Sequence, residues 1–339
     1  MQLIRPNRLQ RGDTIGVIAP ASPVAALCPR RFERGLQELR HLGFKVIVGQ
    51  HALKRTGHTA GTIEERLDDL HGMFRNLQVK AIIATIGGFN SHQLLENIDF
   101  NLIRRNPKIL MGYSDITALL AGIYRHTRLV TFMGPAILPQ FGEYGGLLEY
   151  TKRSFERVLM RAEPIGRIDA SQEWTEESLL WDQADDRIRQ TRPNAGMKVL
   201  KSGTAQGPIL AGNMGTLLLL AGTPYFPDVD GVILCLEEDE NERPGTIDRF
   251  LTQLRQMGIY RKISALIVGR FQSKVGFSPD DSLPSVLSAA TKTFDFPILY
   301  DADFGHTDPM MVLPNGVQAR IDASDLKQPI FEILDTAVH

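Results

Sequence analysis

Short apolar runs alternate with amphipathic stretches along the first 135 residues of the chain. The apolar runs are rich in β-branched residues and are bounded by glycine, proline or polar residues, which is typical of strands in a parallel sheet. One of the intervening stretches opens with Thr62-Ile63-Glu64-Glu65, the pattern of a capping box at a helix start. The pattern predicts a doubly wound α/β domain. Its five strands are predicted at Thr14 to Ala19, Phe44 to Val48, Ala81 to Thr85, Lys108 to Met111 and Leu129 to Phe132.

The alternation lapses from about Arg161 to Pro208, a stretch that contains both tryptophans and a mixture of charges. It resumes afterwards, which predicts a second, smaller α/β domain. We therefore expect an N-terminal domain over residues 1–160, a connector and substrate loop over 161–207, and a C-terminal domain over 208–339. The second domain's predicted elements are strands at Gly231 to Leu236, Ala265 to Val268 and near Pro297, Val317 and Ile330, with helices after Thr246 and from Leu283.

Composition narrows the class of partner. The 339 residues include 38 basic and 39 acidic side chains, a net charge of −1, which gives no electrostatic case for a nucleic-acid polymer or an anionic membrane. A small neutral or zwitterionic ligand fits better. The two cysteines, Cys28 and Cys235, do not suggest a disulfide framework, and neither a signal peptide nor a spanning apolar segment is recognised. We expect a cytoplasmic protein.

The strongest candidate for chemistry is Ser114, which lies where the apolar run Lys108 to Met111 turns abruptly into a helical pattern. Such a bend exposes a hydroxyl at the carboxyl edge of a sheet, beside the positive end of a helix. Gly112 permits the tight turn. Because Ile116 stands at the last position of G-x-S-x-G, the α/β-hydrolase pattern is not met. Alternatively, Ser114 only caps the helix.

A second strand-to-helix junction contains the paired glycines Gly87 and Gly88. Adjacent glycines let backbone N–H groups approach a ligand closely, so the N–H groups of Gly88 and Asp115 can together form an oxyanion hole. An ordinary turn or a phosphate loop is the alternative. Neither G-x-G-x-x-G nor a Walker lysine is present, and H-E-x-x-H is absent too, so we expect no metal and no other cofactor.

A serine nucleophile needs a base, and His306 is the best placed of the eight histidines because it lies in a turn-rich loop after a predicted strand. Glu237 directly follows the apolar strand ending at Leu236, where it can orient the imidazole. A lone loop histidine is also common, and Glu237 can equally belong to a solvated acidic loop or a cation site with its neighbours.

Four stretches of the sequence resemble the LD-carboxypeptidase family of serine peptidases. They are Thr85-Ile86-Gly87-Gly88-Phe89-Asn90-Ser91, Gly112-Tyr113-Ser114-Asp115-Ile116-Thr117-Ala118-Leu119-Leu120, Leu234-Cys235-Leu236-Glu237-Glu238 and Gly305-His306-Thr307-Asp308-Pro309. The resemblance extends from about Arg11 to Asp322. Three features favour the branch with the microcin C immunity proteins: the first of these stretches, Trp174-Thr175-Glu176-Glu177 with Trp181, and Leu313-Pro314-Asn315-Gly316-Val317-Gln318.

The resemblance implies a flavodoxin-like N-terminal domain that carries the nucleophile Ser114, and a C-terminal domain that carries the acid Glu237 and the base His306. It also implies Gly88 and Asp115 as oxyanion donors, and a homodimer. Four residues are implied in substrate binding: Asn90, Trp174, Trp181 and Asn213. The two indoles can instead share one helical face and only pack, and Asn213 can instead cap a helix.

The implied activity is a serine carboxypeptidase or amidase that cleaves an amide bond in a small molecule. The expected substrate is a microcin C-type aminoacyl-nucleotide, for self-immunity or detoxification. The alternatives are a murein tetrapeptide in cell-wall recycling, and a two-domain binding protein without chemistry.

Overall fold

A six-stranded and an eight-stranded sheet, both flanked by helices, form most of the computed structural model, which describes residues 2–339. The strands of the first part are β1 (Thr14–Ile18), β2 (Lys45–Val48), β3 (Val79–Ala84), β4 (Ile109–Gly112) and β5 (Phe132–Met133). The strands that follow are β6 (Gly166–Arg167), β7 (Glu173–Trp174), β8 (Arg192–Pro193), β9 (Lys198–Lys201), β10 (Thr204–Asn213), β11 (Ile233–Glu237), β12 (Ala265–Gly269), β13 (Ile298–Ala302), β14 (Leu313–Pro314), β15 (Gln318–Asp322) and β16 (Ile330–Ile333). The helices are α1 (Val24–Leu27), α2 (Pro29–His41), α3 (Ile63–Arg75), α4 (Phe100–Arg105), α5 (Thr117–Thr127), α6 (Glu149–Leu159), α7 (Met214–Leu219), α8 (Pro244–Gln256) and α9 (Leu283–Thr291).

The first sheet has the order β14-β5-β4-β3-β1-β2, in which β1 to β5 are parallel. Its parallel part therefore runs 2-1-3-4-5, the order of flavodoxin-like folds, and the predicted fold class is confirmed. β1, β3 and β4 are almost entirely buried because helices cover both faces, which explains their continuous apolar runs. The predicted capping box is also present: Thr62 and Glu65 exchange side-chain to backbone hydrogen bonds at the start of α3.

The second sheet has the order β6-β16-β15-β10-β11-β12-β13-β9. Its centre, β10 to β13, is parallel, whereas the strands on either side pair antiparallel. β11, β12 and the end of β10 consist of buried residues. The carboxyl ends of these parallel strands meet at one edge, where Glu237 ends β11.

The linking segment, residues 161–207, is less irregular than its sequence suggests. It contains β6 and β9, both of which pair at edges of the second sheet, and the first part of β10. Gly207 and Pro208 argue against a strand in the sequence, but antiparallel pairing with β15 continues through both residues. The proposed domain boundaries remain a prediction.

The two sheets share one continuous apolar core. β14 crosses back from the second half of the chain to pair with β5 of the first sheet. Gly212, near the end of β10, lies against α5 so closely that a Cβ there would be 2.4 Å from Thr117 Cγ2. No helix within residues 2–339 has both the length and the apolar character that crossing a bilayer requires.

Candidate active site

Ser114 lies in a strained turn at the carboxyl end of β4. Its φ of +60° is in the left-handed region, which costs a non-glycine residue of order 1–3 kcal/mol and is maintained by the surrounding structure. The chain continues through a 3₁₀ turn, Ser114–Ile116, directly into α5. Within residues 2–339 neither this turn nor α5 has a side-chain cap at its start, so the alternative that Ser114 only caps the helix is wrong.

The paired glycines after β3 lie directly against this turn. A Cβ on Gly87 would be 2.9 Å from Ser114 Oγ and 3.2 Å from the Asp115 backbone nitrogen. Two hydrogen bonds fix the two turns together: Ser91 N–H donates to Asp115 Oδ2 at 2.9 Å, and Ser91 Oγ donates to the Asp115 carbonyl at 2.6 Å. The N–H group of Asp115 thus lies in a rigid frame beside the serine hydroxyl, as an oxyanion donor must.

Glu237 and His306 form a tight pair. The Nδ1 of His306 lies 2.6 Å from Oε2 of Glu237, whose side chain is only 1% exposed. Two glycines make room for the carboxylate, since a Cβ on Gly305 would lie 2.7 Å from Oε2 and one on Gly269 would lie 3.0 Å from the Glu237 Cβ. The φ of Gly305 is +103°, a conformation that side chains disfavour. On its other side, the imidazole contacts the ring of Tyr113, with 5.0 Å between ring centres.

The charges around His306 determine its protonation. Burial alone lowers the pKa of His306, but the charge of Glu237 and its hydrogen bond, with smaller contributions from Asp239 and Glu238, raise it to about 9. Burial raises the pKa of Glu238 to about 7, and the neighbouring Glu237 adds to the effect. The imidazole is therefore protonated at neutral pH, and the neutral form that can act as a base increases with rising pH.

One cavity of about 360 Å³ brings these groups together: Ser114, His306, Gly87 and Gly88 all line it. A further wall comes from the linking segment, through residues 176–179, Trp181 and Arg189. A larger and more open depression of about 620 Å³ lies beside α6. Charged surface residues such as Arg153, Arg157 and Glu163 line it, and it contains none of the predicted site residues, so it is not the catalytic candidate.

The wall from the linking segment is a loop that closes on one residue, Asp308. We call residues 175–189 the cavity loop. At its start, Thr175 and Asp308 exchange two backbone hydrogen bonds, and at its end Arg189 Nη2 donates to Asp308 Oδ2 at 2.7 Å. Asp308 Oδ1 accepts from Gln140 Nε2 at 3.1 Å, and the same amide donates to Tyr113 OH. The loop is thereby tied to both sheets beside His306.

Sequence reasoning did not identify these anchors. Asp308 lies in the stretch Gly305 to Pro309, two residues after His306, and this proximity is the only sequence signal for it. Arg189 and Gln140 lie in unremarkable sequence, and their roles arise from contacts between distant segments of the chain.

The two tryptophans have different surroundings. Trp181 lines the cavity, with the guanidinium of Arg31 4.5 Å from one face of its ring. Trp174 belongs to β7 and lies between two guanidinium groups, Arg192 at 3.8 Å and Arg270 at 4.7 Å from its ring centre. The alternative in which both indoles share one helical face is wrong, because Trp174 is in a strand.

Of the two asparagines predicted to bind substrate, Asn213 is bonded within the protein through its side-chain amide and Asn90 through its backbone carbonyl. Asn213 caps α7 by accepting from the Thr216 N–H at 2.9 Å, and its Nδ2 donates to the Glu238 carboxylate. Capping was one of the two alternatives considered for it. Asn90 precedes the 3₁₀ turn Ser91–Asn97, and its carbonyl accepts from Arg66 Nη1 at 3.2 Å. A role of either residue in substrate binding remains a prediction.

Comparison with known proteins finds matches over nearly the whole chain. A model of the LD-carboxypeptidase N-terminal domain matches residues 15–134, and one of the LD-carboxypeptidase C-terminal domain matches residues 206–321. The chain is similar to the microcin C7 self-immunity protein MccF of Escherichia coli, with 35% identity covering 92% of this chain and 91% of that protein.

Two further similarities concern possible substrates. The chain is 34% identical to a Bacillus subtilis protein named "Probable murein peptide carboxypeptidase", over 95% of this chain and 92% of the relative. A solved structure of MccF in complex with glutamyl sulfamoyl guanosine matches with a TM-score of 0.91 at 32% identity, covering 99% of each chain.

Proposed function

Because the chain belongs to the LD-carboxypeptidase family of serine peptidases, we propose that Ser114, His306 and Glu237 are the catalytic triad of a serine hydrolase that cleaves an amide bond in a small aminoacyl or peptide molecule. One observation carries the proposal. The hydroxyl of a strained strand-end serine lines the same cavity as a histidine whose other ring nitrogen is 2.6 Å from a buried carboxylate.

We propose the following mechanism for these three residues. His306 accepts the Ser114 proton through Nε2 as Oγ attacks the amide carbonyl, and it then protonates the departing nitrogen to leave an acyl-enzyme. Water activated by the same imidazole releases the acid. Glu237 fixes the tautomer of the imidazole and balances its positive charge. The N–H groups of Gly88 and Asp115 stabilise the negative oxygen of each tetrahedral intermediate.

The preferred substrate is an aminoacyl-nucleotide of the microcin C type, which gives the protein a role in self-immunity or detoxification. Trp181 supports this assignment, since its indole lines the cavity and can stack on a planar base. The solved MccF complex, which contains an aminoacyl sulfamoyl nucleoside, points the same way. The resemblance further supports a cytoplasmic homodimer.

Cleavage of a murein tetrapeptide is the second candidate. The similarity to the "Probable murein peptide carboxypeptidase" over nearly the whole chain favours it. A triad of this kind can cleave either amide, so the groups around the cavity, and not the triad, decide between the substrates.

The test is to incubate the purified protein with glutamyl sulfamoyl adenosine and, separately, with an L,D-linked murein tetrapeptide, and to identify products by mass spectrometry. We expect cleavage of the amide bond that joins the glutamyl group to the sulfamoyl nitrogen, which releases glutamate and sulfamoyl adenosine. We expect Ser114→Ala to fold normally and to lose about 10⁶-fold in turnover, the usual effect of losing a triad nucleophile.

Ser324→Ala is the control, because Ser324 is exposed and does not line the cavity. Cleavage of the tetrapeptide alone would establish the second candidate. Binding without products would identify a non-catalytic binding protein, and full turnover by Ser114→Ala would exclude the triad.

A further inference from the structure

The peptide bond between Gly87 and Gly88 is held by a residue outside the triad, Ser22. The Gly87 carbonyl accepts two hydrogen bonds from it, one from Ser22 Oγ at 2.7 Å and one from the Ser22 N–H at 3.3 Å. Ser22 also lines the cavity. It follows β1, which is the parallel neighbour of β3 in the sheet, so two adjacent strand ends bring Ser22 and the glycine pair together.

Holding this carbonyl also sets the direction of an N–H group. A trans peptide is planar, so the carbonyl of Gly87 and the N–H of Gly88 point in opposite directions. With the carbonyl turned toward Ser22, the Gly88 N–H points away from Ser22. Among residues 2–339 no acceptor bonds to this N–H, which leaves it free for a ligand in the cavity that Gly88 lines.

A peptide between two glycines needs such a restraint. Glycine populates φ of either sign, so a Gly-Gly peptide can turn over with little steric resistance. The φ of Gly88 is +157°, in the region that favours glycine. Ser22 also packs tightly here, because a Cβ on Gly88 would lie 2.9 Å from the Ser22 backbone nitrogen.

We infer that Ser22 is a positioning residue for the oxyanion hole: its hydroxyl holds the Gly87 carbonyl so that the Gly88 N–H faces the oxygen that becomes negative when Ser114 attacks. This inference rests on the proposed function. Ser22 does not touch the reacting atoms. It acts on the rate through the peptide bond between Gly87 and Gly88.

The test is Ser22→Ala, compared with Ser264→Ala. Ser264 is the matched control because it is also half-buried and its hydroxyl donates to a backbone carbonyl, that of Val232, away from the cavity. We expect Ser22→Ala to lower kcat by about 10- to 100-fold with little change in KM, since a misplaced donor weakens binding of the transition state and not of the substrate. Ser22→Thr keeps the hydroxyl and should recover most of the rate.

Two further measurements separate positioning from a loss of stability. Ser22→Cys keeps the size of the side chain but has a weak donor, so it should be slow even if Ser22→Ala folds poorly. An aminoalkyl boronic acid that forms a tetrahedral adduct with Ser114 should bind more weakly to Ser22→Ala by a factor similar to the loss in kcat. The affinity of substrate for Ser114→Ala should not change when Ser22→Ala is added.

The outcomes are distinguishable. If the wild type hydrolyses neither substrate, the proposed function fails and the inference falls with it. If the wild type is active but Ser22→Ala has the kcat of Ser264→Ala, or if the whole effect is in KM, only the role of Ser22 is refuted.

Discussion

Among single side chains, His306 is the base of the proposed triad, and its surroundings control its protonation. Its imidazole is 15% exposed and lies between the Tyr113 ring and the Glu237 carboxylate. Because the pKa of His306 is raised to about 9, the form that can accept the Ser114 proton is a minority at neutral pH. In the proposed triad, Glu237 therefore both orients the imidazole of His306 and lowers the fraction of it that is neutral at pH 7.

We expect kcat/KM of the wild type to rise with pH through about 9. Glu237→Gln removes the main charge that raises the pKa of His306, so the rise should move to lower pH. The maximal kcat/KM of Glu237→Gln should fall by about 10⁴-fold, because the glutamine amide does not hold the imidazole of His306 in the correct tautomer. Measuring both proteins from about pH 6 to 10 on one substrate cancels any titration of the substrate itself. Equal midpoints would contradict the assignment, and Glu149→Gln, an exposed change on α6, is the control.

The same shift links pH to stability. The pKa of His306 rises from its ordinary 6.5 to about 9 on folding, so its charged form stabilises the fold fully below about pH 6.5. That contribution is lost as the pH increases through about 9. The free energy of unfolding of the wild type should therefore fall over this interval, and that of Glu237→Gln should fall less. Equal pH slopes for the two proteins over this interval would contradict the pairing.

The sequence alone predicts the candidate-site residues that follow a strand. Ser114 and Glu237 each come directly after an apolar run, and His306 follows another, so each is expected at the carboxyl edge of a sheet: Ser114 on the first sheet, Glu237 and His306 on the second. The roles of Ser22 and Asp308 were not predicted, because they depend on hydrogen bonds to residues more than 60 positions away in the sequence. No local pattern encodes such contacts.

At the level of elements, most strands that are continuous apolar runs were predictable, whereas β10 and the short strands β7, β8 and β9 were not. β1, β3, β4, β11 and β12 are continuous apolar runs, so period and composition locate them to within two residues. β7, β8 and β9 are short and exposed or half-buried, and pairing, not apolar character, defines them. The π-helical turn at Ile137–Phe141 also lacks a sequence signal.

β7 illustrates how an exposed strand is held. Trp174 fits between the guanidinium groups of Arg192, on β8, and Arg270, just after β12. Arg270 itself is buried and donates to Asp303 at 2.7 Å. This stack fastens the β7–β8 hairpin to the second sheet.

We expect Trp174→Ala to lower the free energy of unfolding by about 1–2 kcal/mol, since each cation–π contact contributes about 0.5–1 kcal/mol. Trp174→Phe keeps an aromatic face for both cations and should lose less. Urea denaturation of the three proteins measures the difference. Equal losses for the two variants would contradict a stabilising contact between an aromatic face and the two guanidinium groups.

For the whole molecule, the cavity exists because three parts of the chain meet at one edge of each sheet. The first sheet supplies Ser114 and Gly88, the second supplies Glu237 and His306, and the cavity loop closes the space between them. Asp308 is the junction. Its carboxylate contacts Gln140 from the first part and Arg189 from the loop, and it is itself buried.

We expect Asp308→Ala to reduce the free energy of unfolding by about 1–3 kcal/mol, because it removes one of the two carboxylates, Asp308 and Glu143, that pair with Arg189 and leaves the Gln140 amide with one acceptor fewer. Turnover should fall as well, since the junction lies two residues from His306. Asp230→Ala is the control: its ion pair with Lys262 is exposed, so its loss costs about 0–1 kcal/mol. An unfolding free energy near wild type for Asp308→Ala would show that Arg189 and Gln140 are held by other contacts.

The closure of the cavity loop on Asp308 has a consequence for altering this enzyme. Both ends of the loop are fixed at one residue, and the stretch between them, which carries Trp181, belongs to neither sheet. Between its ends the loop is also bound to α2 through Asp182 and Asp185, so a graft of residues 176–188 from a relative must keep these two carboxylates while it changes the other side chains of the cavity wall. Chimaeras built at these two junctions are a direct route to new selectivity, with the inherited chemistry as a constant background.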